Sequence, residues 1–347
     1  FYSSIADPSL FVLNKDGDLV VLLLYVDDML ITGNASPLLD RFLQELNTAF
    51  AMKNLGHVHY FLGIQVQSLS DGLFLSQHRY AVSILKKAGL LDAKPLSTPI
   101  AYKLQPPDNS PPFHDPTLYR QLVGSLQYLT FTRPDISFAV NSVCQHMQQP
   151  TDFHFSQVKR ILRYVKGTID HGQFLSSHTD FSLRAYSDSD WAGCAQTRRS
   201  TTGFCTFLGA NCISWSAKKQ PTVSRSSTEA EYRAMAITAA EITWLSYLLT
   251  DLHISQSSCP ILFCDNLSAL QLTVNPVFHA RSKHIEIDYH YVREQVALHK
   301  LQTQHVSSSD QLADMFTKAL LLRPFSANVF KLGIVPLSRL RGDVRNV

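Results

Sequence analysis

Four carboxylates in the second half of the chain, Asp188, Glu231, Asp265 and Asp314, sit in local sequences that would bring them to one face of an α/β layer. Asp188 lies in LRAYSDSDW, where Leu183, Ala185 and Trp191 alternate with polar neighbours as in a strand. Glu231 stands near the start of a predicted helix in SSTEAEYRAM, and Asp265 ends the apolar run ILFCD. Asp314 falls early in a predicted last helix, DQLADMFTKAL. Acids clustered without cysteine ligands favour hard, oxygen-seeking Mg²⁺ or Mn²⁺ over zinc. A pair of such ions suits in-line hydrolysis of a phosphodiester, so the chemistry pointed to is nucleic-acid cleavage.

Each acid also has a purely structural reading. Thr228 and Glu231 have the spacing of a capping box. Asp265 could cap a helix beginning at Asn266, Asp188 and Asp190 could end a strand, and Asp314 could favour a helix N-terminus through the dipole. Against capping, Glu231 shares a helical stripe with Ala234, Met235, Thr238, Ile242, Leu245 and Leu249. A carboxylate heading a core stripe requires a partner or a cation.

The elements that must position these acids follow from the breakers. The run LVVLLLYVDDMLITG reads as two buried strands joined by a tight turn. Asp27 and Asp28 at its tip are either a solvated turn or a pair able to hold Mg²⁺ against nucleotide phosphates. A helix is expected around residues 37–50, and the proline-dense stretch 94–116 cannot continue a helix or central strand. Residues 115–167 carry helical periodicity through Tyr119, Leu122, Val123, Leu126 and Leu129 and again through VKRILRYVKG. From Phe181 onward three strands, a long helix, a strand, a short helix, a strand and a final helix imply a mixed five-stranded sheet with flanking helices.

The 347 residues carry a formal charge of +3, too mild for a dedicated nucleic-acid-binding domain. Phosphate contacts would then come from local groups: Arg198 with Arg199, Lys218 with Lys219, Arg225, and Arg281 with Lys283 and His284, each of which could equally be solvated surface. Six cysteines at irregular spacing imply reduced thiols in an intracellular protein, with Cys194, Cys205, Cys212 and Cys264 serving as small hydrophobes on or beside strands. The histidines, including His279, His284, His290, His299 and His305, form no zinc-binding spacing. No apolar run approaches the about 20 residues of a membrane span, so no membrane partner is expected.

The blocks AYSDSDWAG, RRSTTGF, ISWSAKKQ, SRSSTEAEYRAM, FCDNLSAL, NPVFHARSKHIEIDYHYVRE and SSDQLADMFTKAL resemble, in order, the ribonuclease H domain of copia-type LTR retrotransposon Pol polyproteins. YVDD, Tyr25 to Asp28, resembles the reverse-transcriptase polymerase turn. The resemblance implies an α/β (α+β) chain made of a partial palm over 1–93, a linker over 94–116, a helical thumb or connection over 117–180, a ribonuclease H-like domain over 181–322 and a tail over 323–347 that is disordered or outside the domain. It implies cleavage of the RNA strand of an RNA–DNA hybrid with two Mg²⁺ or Mn²⁺ ions. Asp188 would bridge both, Glu231 and Asp265 would complete one site, Asp314 the other, and His305 would aid product release. The polymerase of this family needs a third acid before the YVDD turn, and Asp7, Asp16 and Asp18 do not match its motif. Together with the missing initiator Met, this implies a C-terminal Pol fragment whose polymerase is incomplete and whose Asp27 and Asp28 form a partial metal site. The alternative is an inactive genomic remnant that at most binds nucleic acid. Expected partners are the hybrid and the rest of the polyprotein, in the cytoplasm, within virus-like particles, or in the nucleus.

Overall fold

A computed structural model describes residues 1–50, 52–103, 107, 109–256, 258–274 and 286–340. The N-terminal strands β1 (Tyr2–Ser3), β2 (Leu10–Lys15), β3 (Asp18–Tyr25) and β4 (Asp28–Gly33) pair in sequential antiparallel order. Helix α1 (Ser36–Ala49) lies against β3 and β4. Val12 faces Val21 and Leu13 faces Val20 across β2 and β3, so the fully buried Val12 and Val20 point to opposite faces of this sheet. The β3–β4 turn needs a left-handed residue, and Val26 takes that conformation at φ 51°, a strained choice for a β-branched side chain. Asp27 and Asp28 are exposed at this turn.

A second sheet has the order β14-β8-β7-β6-β5, all antiparallel, built from β5 (Tyr60–Phe61), β6 (Ile64–Leu69), β7 (Gly72–Ser76), β8 (His171–Ser176) and β14 (Ile334–Pro336). Associated with it are α2 (His78–Lys87), α3 (Pro116–Leu129), α4 (Ser137–Cys144) and α5 (Asp152–Gly167). Their apolar stripes form one core that includes Leu122, Leu126, Ile136, Ile161 and Leu162. Asp115 caps α3 by accepting from the Leu118 amide at 2.9 Å, with Pro116 at its first position. Under this core Arg133 makes a bidentate pair with Asp135, at 2.9 and 2.7 Å, and Tyr164 donates to Asp135 at 2.6 Å.

Two sequence expectations change here. The segment after Leu322 is no loose tail through residue 340. Helix α9 (Leu322–Lys331) contributes Phe325 and Val329 to the core, and β14 adds Ile334 as it pairs with β8. Its few apolar residues look weak in isolation because the strand they complete lies more than 150 positions upstream. Likewise, the second sheet joins residues from 60–76, 171–176 and 334–336, crossing the boundaries expected at 93, 180 and 322. Among its described residues the proline-dense stretch forms no helix before Pro116, as its composition requires, but it is strapped to α5. The Leu96 amide donates to the Arg163 carbonyl at 3.2 Å, the Arg163 guanidinium donates to the Lys94 carbonyl at 2.6 Å, and Pro99 is buried. Residues 341–347 lie outside the described set.

The third sheet is the mixed five-stranded one, in the order β11-β10-β9-β12-β13. It comprises β9 (Leu183–Ser189), β10 (Thr201–Leu208), β11 (Asn211–Lys219), β12 (Ile261–Cys264) and β13 (Gln302–His305). The first three are antiparallel, and β12 runs parallel to both β9 and β13. Helix α6 (Ser227–Asp251) crosses β9 and β10, with α7 (Leu267–Val274) and α8 (Glu286–Ala297) beyond it. Every member of the predicted α6 stripe is buried, from Glu231 through Leu249. The expected last α-helix around Asp314 is instead a short 3₁₀ turn, Leu312–Phe316. Among the described residues no helix is long and apolar enough to cross a membrane.

Candidate active site

Strand β9, the central strand, carries Asp188 next to its C-terminal end, where only 1% of it is exposed. The neighbouring strand leaves room above it. Gly203 is the residue opposite Asp188, and a Cβ there would come within 2.6 Å of Thr317 and 2.8 Å of Phe316. The missing side chain lets the 3₁₀ turn settle over β10. Gln311 fixes that turn to β9 by donating to the Ser187 carbonyl at 2.9 Å. The Thr317 hydroxyl donates to Asp188, and Lys318 lies 3.3 Å from Asp188 and 2.6 Å from Asp314.

Glu231 enters from α6. The capping alternative fails here, because Ser226 is the N-cap and its hydroxyl accepts from the Glu229 amide at 3.2 Å. Glu231 is left 94% buried, with the Ser189 amide donating to it at 3.3 Å. Asp265 is likewise relieved of capping, since Asn266 accepts from the Ala269 amide at 2.9 Å at the start of α7. Asp265 accepts instead from the Ser308 hydroxyl at 3.0 Å. Asp190 is a strand-end acid: it accepts from the Thr201 amide, and burial raises its carboxyl to a pKa of about 6.

The electrostatics are those of crowded negative charge. Burial first, then the charges of Asp188 and Asp265, push Glu231 up to about 9. Burial and Asp188 likewise raise Asp314 to about 6, against the pull of Lys318. For Lys318 burial works against the charge, yet Asp188 and Asp314 outweigh it and raise the ammonium pKa. Among the described residues, Glu231, Cys264 and Asp265 are the group of three ligating side chains whose donor atoms lie within 4.8 Å of one another. Cys264 was read from sequence as a small hydrophobe, and it is fully buried, but its sulfur also lies 3.9 Å from Glu231. Burial raises this thiol's pKa strongly and keeps it neutral, so the hard donors of the cluster remain carboxylate oxygens. Buried acids that raise one another's pKa in this way suit a divalent cation, which would relieve the repulsion.

The other candidate residues are placed more loosely. His305 is exposed at the end of the edge strand β13, opposite Cys264 in register and so beside Asp265. Lys218 pairs with Thr202, which pairs with Ser189, so it stands at the Asp188 end of the sheet and is exposed. Lys219 is half-buried, donating to Gln145 at 2.9 Å and contacting the Cys194 sulfur at 2.7 Å. Burial would raise the Cys194 thiol, but Lys219 and donors at Thr197 draw it down to about 7, so it is more than the inert hydrophobe expected. Arg199 donates to the Pro221 carbonyl at 3.2 Å, while Arg198 and Arg225 are exposed. Trp191 is 51% exposed and not on the inward face, its indole donating to the Ser224 carbonyl at 3.1 Å. Arg281, Lys283, His279 and His284 lie outside the described residues. Asp27 and Asp28 join no group of three ligating side chains among the described residues.

Residues 1–102 match the family described as reverse transcriptase (RNA-dependent DNA polymerase). Over 348 aligned residues and the whole of this chain, the sequence is 48% identical to the retrovirus-related Pol polyprotein from transposon RE2 of Arabidopsis thaliana, of which it covers 24%. A putative transposon Ty5-1 protein of Saccharomyces cerevisiae is 32% identical over 232 residues, 66% of this chain and 75% of that protein. The chain spans about a quarter of the length of the Pol polyproteins it matches. A solved foamy viral protease-reverse transcriptase in complex with RNA/DNA hybrid aligns with a TM-score of 0.46 at 11% identity, over 83% of this chain and 36% of that one, too distant a likeness to bear on function.

Proposed function

Since the chain belongs to the retrovirus-related Pol polyproteins of transposons, we propose that residues 183–318 form a cation-dependent nuclease acting on the RNA strand of an RNA–DNA hybrid. The observation that carries this reading is the convergence of Asp188, Glu231, Asp265 and Asp314, from four separate elements, on one end of the mixed sheet, with Glu231 and Asp314 raised by their neighbours. Mg²⁺ or Mn²⁺ held there would supply a Lewis acid for phosphodiester hydrolysis. In this reading Asp188 would be the central ligand, with Glu231 and Asp265 completing one site and Asp314 the other. Thr317 and Ser308 orient Asp188 and Asp265 by donating to them. Glu231, which accepts from the Ser189 amide, would orient the attacking water, and His305 would assist departure of product. Lys218, Arg198 and Arg225 would face the phosphates, and substrate choice would rest on hybrid shape and 2′-hydroxyls.

The turn at Asp27 and Asp28 supports less. Polymerisation needs acids from more than one strand around its ions. No such third acid approaches this turn among the described residues, so polymerase activity of this chain is not part of the proposal. The deciding experiment is a Mg²⁺-dependent cleavage assay on a hybrid with labelled RNA. Wild type should shorten the RNA strand, and Asp265→Asn should lose more than the roughly 10- to 100-fold that follows removal of an outer-shell partner. Hybrid binding without cleavage at any Mg²⁺ or Mn²⁺ concentration would leave the inactive-remnant reading in its place.

A further inference from the structure

Lys318 occupies the gap between two of the carboxylates. Its ammonium is 2.6 Å from Asp314, one helical turn earlier in the chain, and 3.3 Å from Asp188. Asp188 is held from a second direction by the Thr317 hydroxyl, so two consecutive residues close over it. The lysine reaches in from the solvent side: its side chain is 41% exposed, whereas that of Asp188 is 2% exposed. A cation on a flexible stem is therefore paired to the oxygens that the proposed divalent ion would need.

We propose that Lys318 is the built-in counter-ion of the carboxylate cluster, holding Asp188 and Asp314 together in the cation-free protein and giving them up when a divalent ion enters. The inference rests on the nuclease reading of that cluster. Lysine and metal compete for the same oxygens, so Lys318 sets how much Mg²⁺ or Mn²⁺ the site requires. Without it the acids would be poorly compensated, and the cluster would depend on the divalent ion for charge balance.

The test is direct titration of the purified chain with Mn²⁺, following free Mn²⁺ by electron paramagnetic resonance, together with thermal melts in chelator and in Mn²⁺. Lys318→Met should bind Mn²⁺ about tenfold more tightly than wild type. It should also melt at a lower temperature in chelator and gain more from added Mn²⁺. Equal or weaker Mn²⁺ binding by the variant overturns the proposal. If Lys318→Met does not fold in chelator, the wild-type chain still decides. Labelling of Lys318 by an amine-acylating reagent, read by peptide mass spectrometry, must rise when Mn²⁺ is added, and unchanged or reduced labelling overturns the proposal. Hybrid cleavage with unchanged labelling sinks this inference alone, whereas absence of any Mn²⁺ binding sinks the nuclease reading as well.

Discussion

Glu231 shows how one side chain can be held in a state that the unfolded chain would not choose. Its pKa of about 9 in the cation-free fold lies above the ordinary carboxylate value of 4.5, so the folded state keeps a proton that the unfolded state releases. Stability linked to this group is then greatest below the unfolded value and falls as pH rises toward the folded one. In chelator, melting temperature should decline between about pH 5 and 9 in wild type, and Glu231→Gln should flatten that decline while leaving the neutral-pH fold intact. The same variant should lose hybrid cleavage. An unaltered pH slope in Glu231→Gln would show that another group carries the linkage. The helical period already marked Glu231 as inward-facing, because its stripe partners Met235, Thr238 and Ile242 are all apolar or small. Nothing comparable marked Lys318 or Cys264. The four-residue spacing from Asp314 permits a local pair for Lys318, but its reach to Asp188, like the approach of Cys264 to Glu231, is a long-range contact.

At the scale of elements, the buried Arg133–Asp135–Tyr164 network ties the 3₁₀ turn at Pro134–Ile136 to α5. Arg133 also donates to the Thr168 carbonyl at 3.0 Å, fixing the end of that helix. Asp135 is held below the ordinary carboxylate range: burial opposes its charge, but Arg133 and the Tyr164 hydroxyl outweigh it. Removing one partner strands a buried charge, so Asp135→Ala should destabilise the chain by about 3–5 kcal/mol in denaturant melts. A loss below about 1 kcal/mol, the range of exposed pairs, would mean the network is hydrated in solution. The helices here were legible from periodicity, whereas TRPD stands between them with no periodic pattern of its own. That its arginine and aspartate would be buried together followed from no local pattern, since adjacent opposite charges are ordinarily solvated.

For the whole molecule, the C-terminal segment decides whether the helical core is closed. Phe325, Val329, Leu332 and Ile334 are all buried in it. At roughly 1.5–3 kcal/mol for each buried side chain, they contribute an amount comparable with the whole stability of an ordinary domain, about 5–15 kcal/mol. A chain ending at Leu322 should therefore melt at a much lower temperature and be cut readily within 116–176 by protease. An unchanged melting temperature would show that β14 and α9 add nothing to the core.

The mixed five-stranded sheet and its four acids could be read from the sequence because each strand alternates or runs apolar over a few residues, and each acid interrupts such a pattern. Blocks such as AYSDSDWAG and FCDNLSAL carried the resemblance that narrowed the chemistry of those acids to an RNA–DNA hybrid. Tertiary structure alone decided what joins distant stretches. Strand β14 pairs with β8 across about half the chain, Gly203 admits the turn that brings Thr317 and Lys318 to Asp188, and Asn266 and Ser226 take the capping roles that the sequence equally offered to Asp265 and to Thr228 with Glu231. Periodicity reports which way a residue faces relative to its own element. It carries no information about the element that will lie opposite, and here burial against that element, followed by the charge of Asp188, raises Glu231 and Asp314.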